Sequence, residues 1–290
     1  MSQLLHKISR NNNESFSSHV EVGLGIDQQR HYHREYEILY VVKGSGTLLI
    51  ADAVSNFKVD DIFFIGSNIP HMIRVDKPSA IHVPDCELSV VHFLPEILKF
   101  FIDMPENKSI ANLFSKVSNG VIIKGEDFLD AKDLILSLRR ARETERIIIL
   151  LQMFNIIAQS YHSVLNSKTA LRGSINKADD NRLNKIYHYT LNNFSKTITL
   201  EEVAGIVHLC SNSFCRYFKS KTRKRYSLFL MEMRINHACK LLLETDYSVS
   251  VVSYESGYMN LSNFNRHFKS IKGKTPLEYR KQHYLGRYGE

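Results

Sequence analysis

One short pattern occurs twice in the last third of this chain. It reads Ser213-Phe-Cys-Arg-Tyr-Phe-Lys-Ser220, and fifty residues later it recurs as Asn263-Phe-Asn-Arg-His-Phe-Lys-Ser270. In each copy the two phenylalanines are four residues apart, a spacing that places both on one face of an α-helix. The arginine between them must then point away from that face. The repeat therefore predicts two amphipathic helices, each with an apolar back and a basic front.

A shorter helix is predicted in front of each copy. Thr199 and Glu202 have the spacing of a capping box, and an apolar stripe with helical spacing follows. In front of the second copy, Ser248 is placed to cap a helix over residues 249–256, although propensity alone would favour a strand there. Alignment of the two copies favours the helix. Each copy then forms a helix-turn-helix, and a connecting helix is predicted at residues 234–243.

The positive charge of the chain comes from the same region. From Leu183 onward the sequence has 17 Lys and Arg against 8 Asp and Glu, whereas residues 1–182 have 21 against 22. The formal net charge of +8 therefore arises entirely in the C-terminal third. A basic domain attached to a neutral one suggests a polyanionic partner, because neutralised phosphates release their counterions. On charge alone, a basic surface that only keeps the protein soluble is an equally good explanation.

Residues 183–283 resemble the AraC/XylS family of bacterial transcription activators, most specifically at residues 257–269 and 273–280. The resemblance implies that each motif inserts a recognition helix into one of two adjacent major-groove segments, about 34 Å apart. It also implies the positions that contact DNA. These are Asn212, Cys215, Arg216 and Lys219 in the first copy, and Leu261, Ser262, Asn263, Arg266, Lys269 and Lys274 in the second. Among these side chains, arginine suits guanine, asparagine suits adenine, and lysine suits phosphate.

The first copy departs from the family pattern at its turn. Cys210 stands where a serine usually caps the recognition helix, and a thiol is a weaker acceptor, so that Ser211 could cap the helix one residue later. His208 stands where the second copy has the turn residue Gly257, and histidine tolerates a positive φ better than most residues do. In the second copy, Ser253 stands where a buried alanine is usual. Because the turn and the cap depart from the family pattern only in the first copy, we expect the second copy to carry more of the DNA specificity.

The first part of the chain has the pattern of short β-strands. Apolar, partly β-branched runs occur at residues 37–42, 47–50, 62–65 and 89–93. Strands of this length and spacing favour a barrel or a sandwich. The segment Gly44-Ser45-Gly46 is predicted to be a hairpin turn between the first two strands.

This strand region also contains a motif that resembles the first motif of cupin barrels. The motif is matched position for position by Gly25, His31, His33, Glu37 and Gly44. His31 and His33 are two apart on a predicted strand, and Glu37 keeps the same parity, so the three would face one side of the sheet. The resemblance implies His71 as a fourth ligand, and imidazoles with a carboxylate suit a divalent Zn, Mn, Fe or Cu ion. Alternatively, the same side chains would bind an effector through hydrogen bonds or be inherited wall groups.

From Pro95 the apolar spacing becomes helical, with helices predicted at residues 127–141 and 143–165. The apolar run 147–157 predicts dimerisation through these helices, although packing against the barrel explains that run almost as well. The polar stretch 166–182 is predicted to be a linker. The predicted fold class is α+β. Its domains are a cupin-like β-barrel with following helices at residues 1–165, the linker, and an all-α double helix-turn-helix domain at residues 183–290.

These features together predict a cytoplasmic transcription regulator that binds double-stranded promoter DNA sequence-specifically, contacts RNA polymerase and forms a homodimer. By analogy of layout, its barrel would bind a small-molecule effector such as a sugar or another metabolite. The sequence shows no transmembrane run and no secretory signal, and its four cysteines are scattered without a CxxC pair. We therefore expect no membrane partner and a reducing compartment.

No catalytic motif competes with this prediction, since the sequence has neither a phosphate loop nor a nucleophile elbow, and we do not expect an enzyme. Two alternatives stay open. The first is a cupin metalloenzyme, such as a small-molecule dioxygenase, with His31, His33, Glu37 and His71 as its metal ligands. The second is a regulator whose barrel binds nothing and only dimerises. Metal content would test the first alternative, and a ligand screen would test the second.

Overall fold

The computed structural model describes residues 14–23, 29–76, 86–117, 121–123, 129–159, 163–164 and 177–285. The chain divides into two compact units, residues 1–173 and 174–290, and the division falls inside the stretch predicted as a linker. A helix begins at Lys177, so residues 177–182 of that stretch are helical. Residues 166–176 and Gly25, the first glycine of the cupin-like motif, lie outside the described residues.

The first unit is built on two antiparallel sheets. Its strands are β1 (Phe16–Val22), β2 (Tyr36–Lys43), β3 (Gly46–Ile50), β4 (Ala53–Phe57), β5 (Ile62–Ile65), β6 (His71–Val75), β7 (Glu87–Phe93), β8 (Val121–Ile123) and β9 (Ser163–Val164). One sheet has the order β1-β7-β2-β5-β8-β9, and the other has the order β4-β3-β6. The two sheets enclose an apolar core, and we refer to the body formed by strands β1 to β7 as the barrel.

The predicted hairpin at Gly44-Ser45-Gly46 is wrong. This segment does connect two strands, because β2 ends at Lys43 and β3 begins at Gly46. However, β2 pairs with β5 and β7, whereas β3 pairs with β4 and β6, so the segment crosses from one sheet to the other. A tight hairpin follows at Ala51 and Asp52, between β3 and β4, where Ala51 takes a φ of 52°.

Apolar side chains form a layer on each face of the larger sheet. The layer inside the barrel contains alternate residues of the larger sheet, among them Leu39 and Val90, together with residues of the smaller sheet such as Ile73. The outer layer packs against α1 (Pro95–Ile102), α2 (Lys108–Val117), α3 (Leu129–Ser137) and α4 (Glu143–Gln159), and a short 3-10 helix (Pro105–Asn107) lies between α1 and α2. In this layer the ring of Phe154 on α4 lies 5.3 Å from that of Phe93 on β7, measured between centroids.

Packing against the barrel accounts for most of the apolar run 147–157. The side chains of α4 that face the core are Ile149, Leu150, Met153, Phe154 and Ile157. By contrast, Ile147 and Ile148 are 36 % and 51 % exposed. The predicted continuation of this helix to residue 165 is wrong. α4 ends at Gln159, and Ser163–Val164 forms β9 because it pairs with β8 and extends the larger sheet.

The described residues of the second unit form helices joined by short turns. Its helices are α5 (Lys177–Asn193), α6 (Leu200–Ile206), α7 (Ser211–Thr222), α8 (Tyr226–Glu244), α9 (Val249–Glu255), α10 (Leu261–Lys272) and α11 (Pro276–Leu285). The predicted motifs are the pairs α6–α7 and α9–α10, with α8 between them. α9 is helical despite its valines, because Ser248 caps its first turn by accepting from the Val251 amide at 3.3 Å and Val252 is fully buried. No helix in the described parts of the chain is both long and apolar enough to cross a membrane.

Candidate functional sites

The recognition helix of the second motif, α10, is fixed at both ends. Its N-cap residue Asn260 accepts a hydrogen bond from the Asn263 amide at 3.1 Å, and its C-cap residue Gly273 has a φ of 74°. In the turn before it, Gly257 has a φ of 82°, and a Cβ atom there would lie 2.5 Å from the carbonyl oxygen of Phe194. Both backbone conformation and space therefore require glycine at position 257.

The two recognition helices bury their phenylalanines and expose their basic faces. Phe214 and Phe218 on α7, like Phe264 and Phe268 on α10, are completely buried. All but one of the side chains predicted to contact DNA are exposed on the opposite face. They are Asn212, Cys215, Arg216 and Lys219 on α7, and Leu261, Ser262, Asn263, Arg266 and Lys269 on α10. The exception is Lys274, which follows α10 and is half-buried. The structure thus brings each set onto one solvent-facing helix surface, and their contact with bases stays a prediction.

Two of these exposed side chains bind each other. Arg266 donates from Nη2 to Oδ1 of Asn263 at 3.1 Å, which holds the guanidinium over the N-terminal half of α10. In the first copy Ser213 occupies the position of Asn263, and its hydroxyl accepts from the Cys210 thiol at 3.2 Å instead. A guanidinium that is already oriented loses less side-chain freedom when it binds a guanine edge.

The first recognition helix, α7, has weaker ends. Its N-cap residue is Cys210, which makes no side-chain cap hydrogen bond, and Ser211 is the first residue of the helix rather than its cap. In the preceding turn His208 has a φ of 56°, which confirms the predicted left-handed histidine. At the other end Arg223 takes a φ of 57°, in the same C-cap position where α10 has Gly273.

Arg234 on α8 joins the two motifs, a role for which the sequence gives no local signal. It donates from Nε to the carbonyl of Phe194 and from Nη2 to that of Lys196, each at 2.8 Å. Its guanidinium also lies 5.6 Å from the ring centroid of Tyr258, in the turn of the second motif. Because residues 194–196 follow α5 and lead to the first motif, these contacts fix the separation of the two motifs.

In the first unit, His31, His33, Glu37 and His71 come together at one end of the barrel interior, and we call these four residues with His92 the histidine cluster. The four are 6 %, 2 %, 5 % and 1 % exposed, respectively. Glu37 lies on β2 and His71 on β6. His31 and His33 do not lie on a strand, so that prediction is wrong. His31 forms an isolated β-bridge with His71, and His33 lies in the segment before β2.

The Nε2 atoms of His33, His71 and His92 converge on the Glu37 carboxylate. Its Oε2 lies 2.9 Å from Nε2 of His71 and 3.3 Å from Nε2 of His33. The metal-binding atoms offered by His31, His33 and His71 lie within 4.8 Å of one another. Ligand atoms that share one ion at about 2.0–2.2 Å lie roughly 3 to 4 Å apart, so small side-chain shifts would let one metal ion bind all three imidazoles.

The backbone fixes the other ring nitrogen of three of these histidines. Nδ1 of His31, His33 and His71 lies 3.1, 3.1 and 2.8 Å from the carbonyl oxygens of Gln29, Glu35 and Ile69, respectively. Since a carbonyl only accepts, each Nδ1 carries a proton, and Nε2 is the ring atom that faces the cluster. An Nε2 atom this close to a carboxylate oxygen needs either a proton or a metal ion between the two. Backbone-bound Nδ1–H groups are also typical of metal-ligating histidines.

Burial and the neighbouring charges set the protonation of the cluster. Burial, reinforced by His71, lowers the pKa of His31 to about 2, so its ring is neutral at physiological pH. For Glu37, burial alone would raise the pKa, but His71 and hydrogen bonds from the cluster histidines hold it well below its usual range. A neutral imidazole and a charged carboxylate are the forms in which these side chains bind metal ions.

His92 is a cluster member that the sequence did not predict. It is buried on β7, and its Nε2 lies 3.3 Å from Oε1 of Glu37. Burial lowers the pKa of His92, and its ring stacks on that of His19 with centroids 5.5 Å apart. The sequence does predict a strand at residues 89–93. However, His92 meets Glu37 only because the register of β2 and β7 places the two residues opposite each other, and no local pattern reports that register.

Comparison with known proteins assigns a family to both units. A model described as the AraC-like ligand binding domain matches residues 25–135, and a helix-turn-helix domain model matches residues 203–282. The melibiose operon regulatory protein of Escherichia coli strain K12 is 22 % identical over 267 residues, which cover 87 % of this chain and 83 % of that protein. The chain belongs to the AraC family of transcription regulators.

Two further proteins are similar to this AraC-family regulator. The uncharacterized regulator YdeC of Bacillus subtilis strain 168 is 23 % identical over 263 residues, covering 87 % of this chain and 85 % of YdeC. Among solved structures, the DNA-binding domain of AdpA in complex with a target DNA has 26 % identity and a TM-score of 0.35, covering 38 % of this chain and 97 % of that one. The predicted DNA-binding regulator is confirmed by the family models and curated relatives, which describe regulators rather than an enzyme family.

Proposed function

We propose that this AraC-family regulator binds promoter DNA as a cytoplasmic homodimer and changes its DNA affinity when a small effector occupies the histidine cluster. One observation carries the proposal, namely that four imidazoles and a charged carboxylate are buried together at one end of the barrel. Burying charged and polar groups destabilises a fold unless their partners compensate for the lost water. A purely structural wall would be more stable if it were apolar, so a ligand site is the better explanation.

The donors of the cluster fit a divalent transition metal ion. His31, His33 and His71 would each supply Nε2, and Glu37 would supply a carboxylate oxygen, which are ligand types that Zn, Mn, Fe and Cu accept. A bound ion would take the place of the protons between these Nε2 atoms and the carboxylate. It would act as the effector itself or as the anchor for an oxygen-rich metabolite such as a sugar.

The DNA-binding half of the proposal rests on the exposed faces of α7 and α10. We expect the two helices to enter adjacent major-groove segments, with Arg266 and Asn263 reading bases and Lys219 and Lys269 meeting phosphates. A promoter-bound regulator of this kind would also contact RNA polymerase. For the homodimer, the exposed Ile147 and Ile148 on α4 offer an apolar surface.

Selection of genomic DNA fragments by the purified full-length protein tests the DNA half and yields an operator. Affinity for that operator is then measured by fluorescence anisotropy, with and without divalent metal ions and a panel of sugars and other metabolites. The melting temperature is followed in parallel, because a ligand that binds only the folded state raises it. We expect one ligand class to change both quantities in the wild type but not in Glu37→Gln.

The results of this experiment distinguish an effector-responsive regulator from a barrel that only dimerises and from a metalloenzyme. His188→Ala, in the second unit, is the control that should respond like the wild type. A barrel that only dimerises would show no response to any ligand, which would contradict the effector half of the proposal. A stoichiometric redox metal together with turnover of a small molecule would instead support the metalloenzyme alternative.

A further inference from the structure

The Glu37 carboxylate has histidines on both sides, and its two oxygens have different neighbours. Oε2 faces Nε2 of His33 at 3.3 Å and Nε2 of His71 at 2.9 Å. Oε1 faces Nε2 of His92 at 3.3 Å. A carboxylate that gives one oxygen to a metal ion commonly accepts a hydrogen bond on the other, and that bond holds its orientation. Oε2 is thus placed to ligate an ion, and Oε1 is placed to accept from His92.

His92 also differs from its neighbours at the second ring nitrogen. Nδ1 of His31, His33 and His71 each lies against a backbone carbonyl, so Nε2 is the ring atom that faces the cluster. Nδ1 of His92 is buried and has no hydrogen-bond partner among the described residues. The single proton of a neutral His92 ring is therefore best placed on Nε2, where Oε1 of Glu37 can accept it. A nitrogen that carries this proton donates a hydrogen bond and does not ligate a metal.

We propose that His92 is a positioning residue, whose Nε2–H holds Oε1 of Glu37 so that Oε2 points at a divalent transition metal ion bound by His31, His33 and His71. The inference rests on the metal-binding part of the proposed function. Hydrogen bonds of this kind typically change metal affinity about 10- to 100-fold. His92 comes from β7, outside the cupin-like motif, and only the pairing of β2 with β7 brings it to Glu37.

The test measures metal binding directly in the full-length protein after removal of bound metal by a chelator. Co²⁺ is titrated while its visible absorption is recorded, because the bands report the number and type of ligands, and Zn²⁺ affinity is measured by competition with a chromophoric chelator. The variants are His92→Ala, His92→Gln and the ligand variant His71→Ala. His19→Ala is the matched control, because it removes an imidazole that stacks on His92 and lies close to the cluster.

We expect His92→Ala to bind Co²⁺ about 10- to 100-fold more weakly while the saturated spectrum keeps its shape. His92→Gln should recover part of the affinity, because its amide can donate to Oε1 of Glu37 as Nε2–H does. His71→Ala should change the spectrum itself, and His19→Ala should match the wild type. Melting curves check the fold of each variant. If His92→Ala does not fold, the affinity of His92→Gln tests the positioning role.

Three results would overturn the inference. An affinity of His92→Ala within threefold of the wild type would remove the positioning role. A saturated spectrum that changes as it does in His71→Ala would make His92 a direct ligand. A wild-type protein that binds neither Co²⁺ nor Zn²⁺ would reject the metal site altogether. In that last case the proposed effector response is tested separately, by the metabolites in the operator-binding experiment.

Discussion

The two helix-turn-helix motifs share a sequence skeleton but are held in different ways. α10 is fixed at its ends, by the side-chain cap of Asn260 and the left-handed Gly273. α7 has no side-chain cap, and its left-handed C-cap residue is an arginine rather than a glycine, so it depends more on its apolar back. There the ring of Phe218 lies 5.4 Å from that of Tyr226 and 5.7 Å from that of Phe229, measured between centroids. Equal patterns in the sequence therefore do not give equal rigidity at the surface that meets DNA.

The turn before the recognition helix is also packed more tightly in the second motif than in the first. Between the left-handed residue and the N-cap, the first motif has only Leu209, whereas the second has Tyr258 and Met259. Tyr258 is buried, its ring lies 5.3 Å from that of Phe264, and its hydroxyl lies 3.2 Å from Nδ1 of His267. The second turn is thus packed onto its own recognition helix. A side chain presented from a rigid element loses less entropy on binding, so the second motif should contribute more to specificity.

The two motifs should differ most in the local stability that each loses when its left-handed turn residue is replaced by alanine. Gly257→Ala adds a Cβ 2.5 Å from a backbone oxygen at a φ of 82°, and we expect it to cost about 2–4 kcal/mol of local stability. His208→Ala should cost less than about 1 kcal/mol, because the backbone there already accommodates a Cβ. Hydrogen exchange of the α6–α7 and α9–α10 peptides in the full-length protein measures both. Equal costs would mean that the two turns are equally constrained.

The next largest effect should be on DNA binding. Arg266→Ala should weaken affinity for the selected operator by about 1–3 kcal/mol, because Asn263 holds its guanidinium in place. Arg216→Ala should cost less, about 1 kcal/mol or below, since its motif lacks that support. A footprinting titration measures both, with Lys269→Ala as the phosphate-type control that should weaken binding to all sequences alike. Unchanged affinity in Arg266→Ala would show that the assigned reading face is wrong, and a larger loss in Arg216→Ala would reverse the comparison.

The sequence predicts the motifs well because their information is local. A four-residue spacing of phenylalanines places them on one helix face wherever the helix lies, and Ser248 marks the start of α9 although its valines favour a strand. Alignment of the two copies was needed to choose the helix there. Packing then explains the choice, since the helix buries Val252 and Ser253.

The wrong predictions for the barrel concern features that depend on which distant strands pair with each other. Gly44-Ser45-Gly46 has the composition of a hairpin turn, but sheet membership is decided by the partners of β2 and β3 rather than by the turn. In the same way, the predicted four-residue site lacks His92, although its strand was predicted. Only the β2–β7 register brings His92 to Glu37. A period of two tells which residues share a face of one strand, but not which residue of another strand lies beside them.

The N-caps provide a smaller test of the comparison. Asn260→Ala should destabilise α10 by about 1 kcal/mol, because the Asn263 amide loses its acceptor. Cys210→Ala should change α7 by only a few tenths of a kcal/mol, since its thiol makes no cap bond, and Cys210→Ser should stabilise α7 by about 0.5–1 kcal/mol. The amide exchange rates of the first turn of each helix report these changes. If Cys210→Ala costs as much as Asn260→Ala, the thiol caps α7 after all.

The smallest expected effect is at the C-caps. Arg223 is exposed in the left-handed conformation, where Gly273 stands in the second copy, so Arg223→Gly removes backbone strain. Because glycine also gains freedom in the unfolded chain, the net gain should be about 0.5–1 kcal/mol. Gly273→Arg is the matched reverse change and should lose a similar amount. Exchange at the C-terminal end of α7 and α10 measures both changes.

Combining Arg223→Gly with Cys210→Ser decides what the difference between the motifs means for function. Neither change adds a group to the base-reading set of Asn212, Cys215 and Arg216. If α7 is the weaker reader because its ends are loose, the double variant should bind the operator more tightly, by roughly two- to fivefold. If it becomes more stable and its affinity does not change, rigidity is not what limits the first motif. The deficit would then lie in the side chains that α7 presents to the bases.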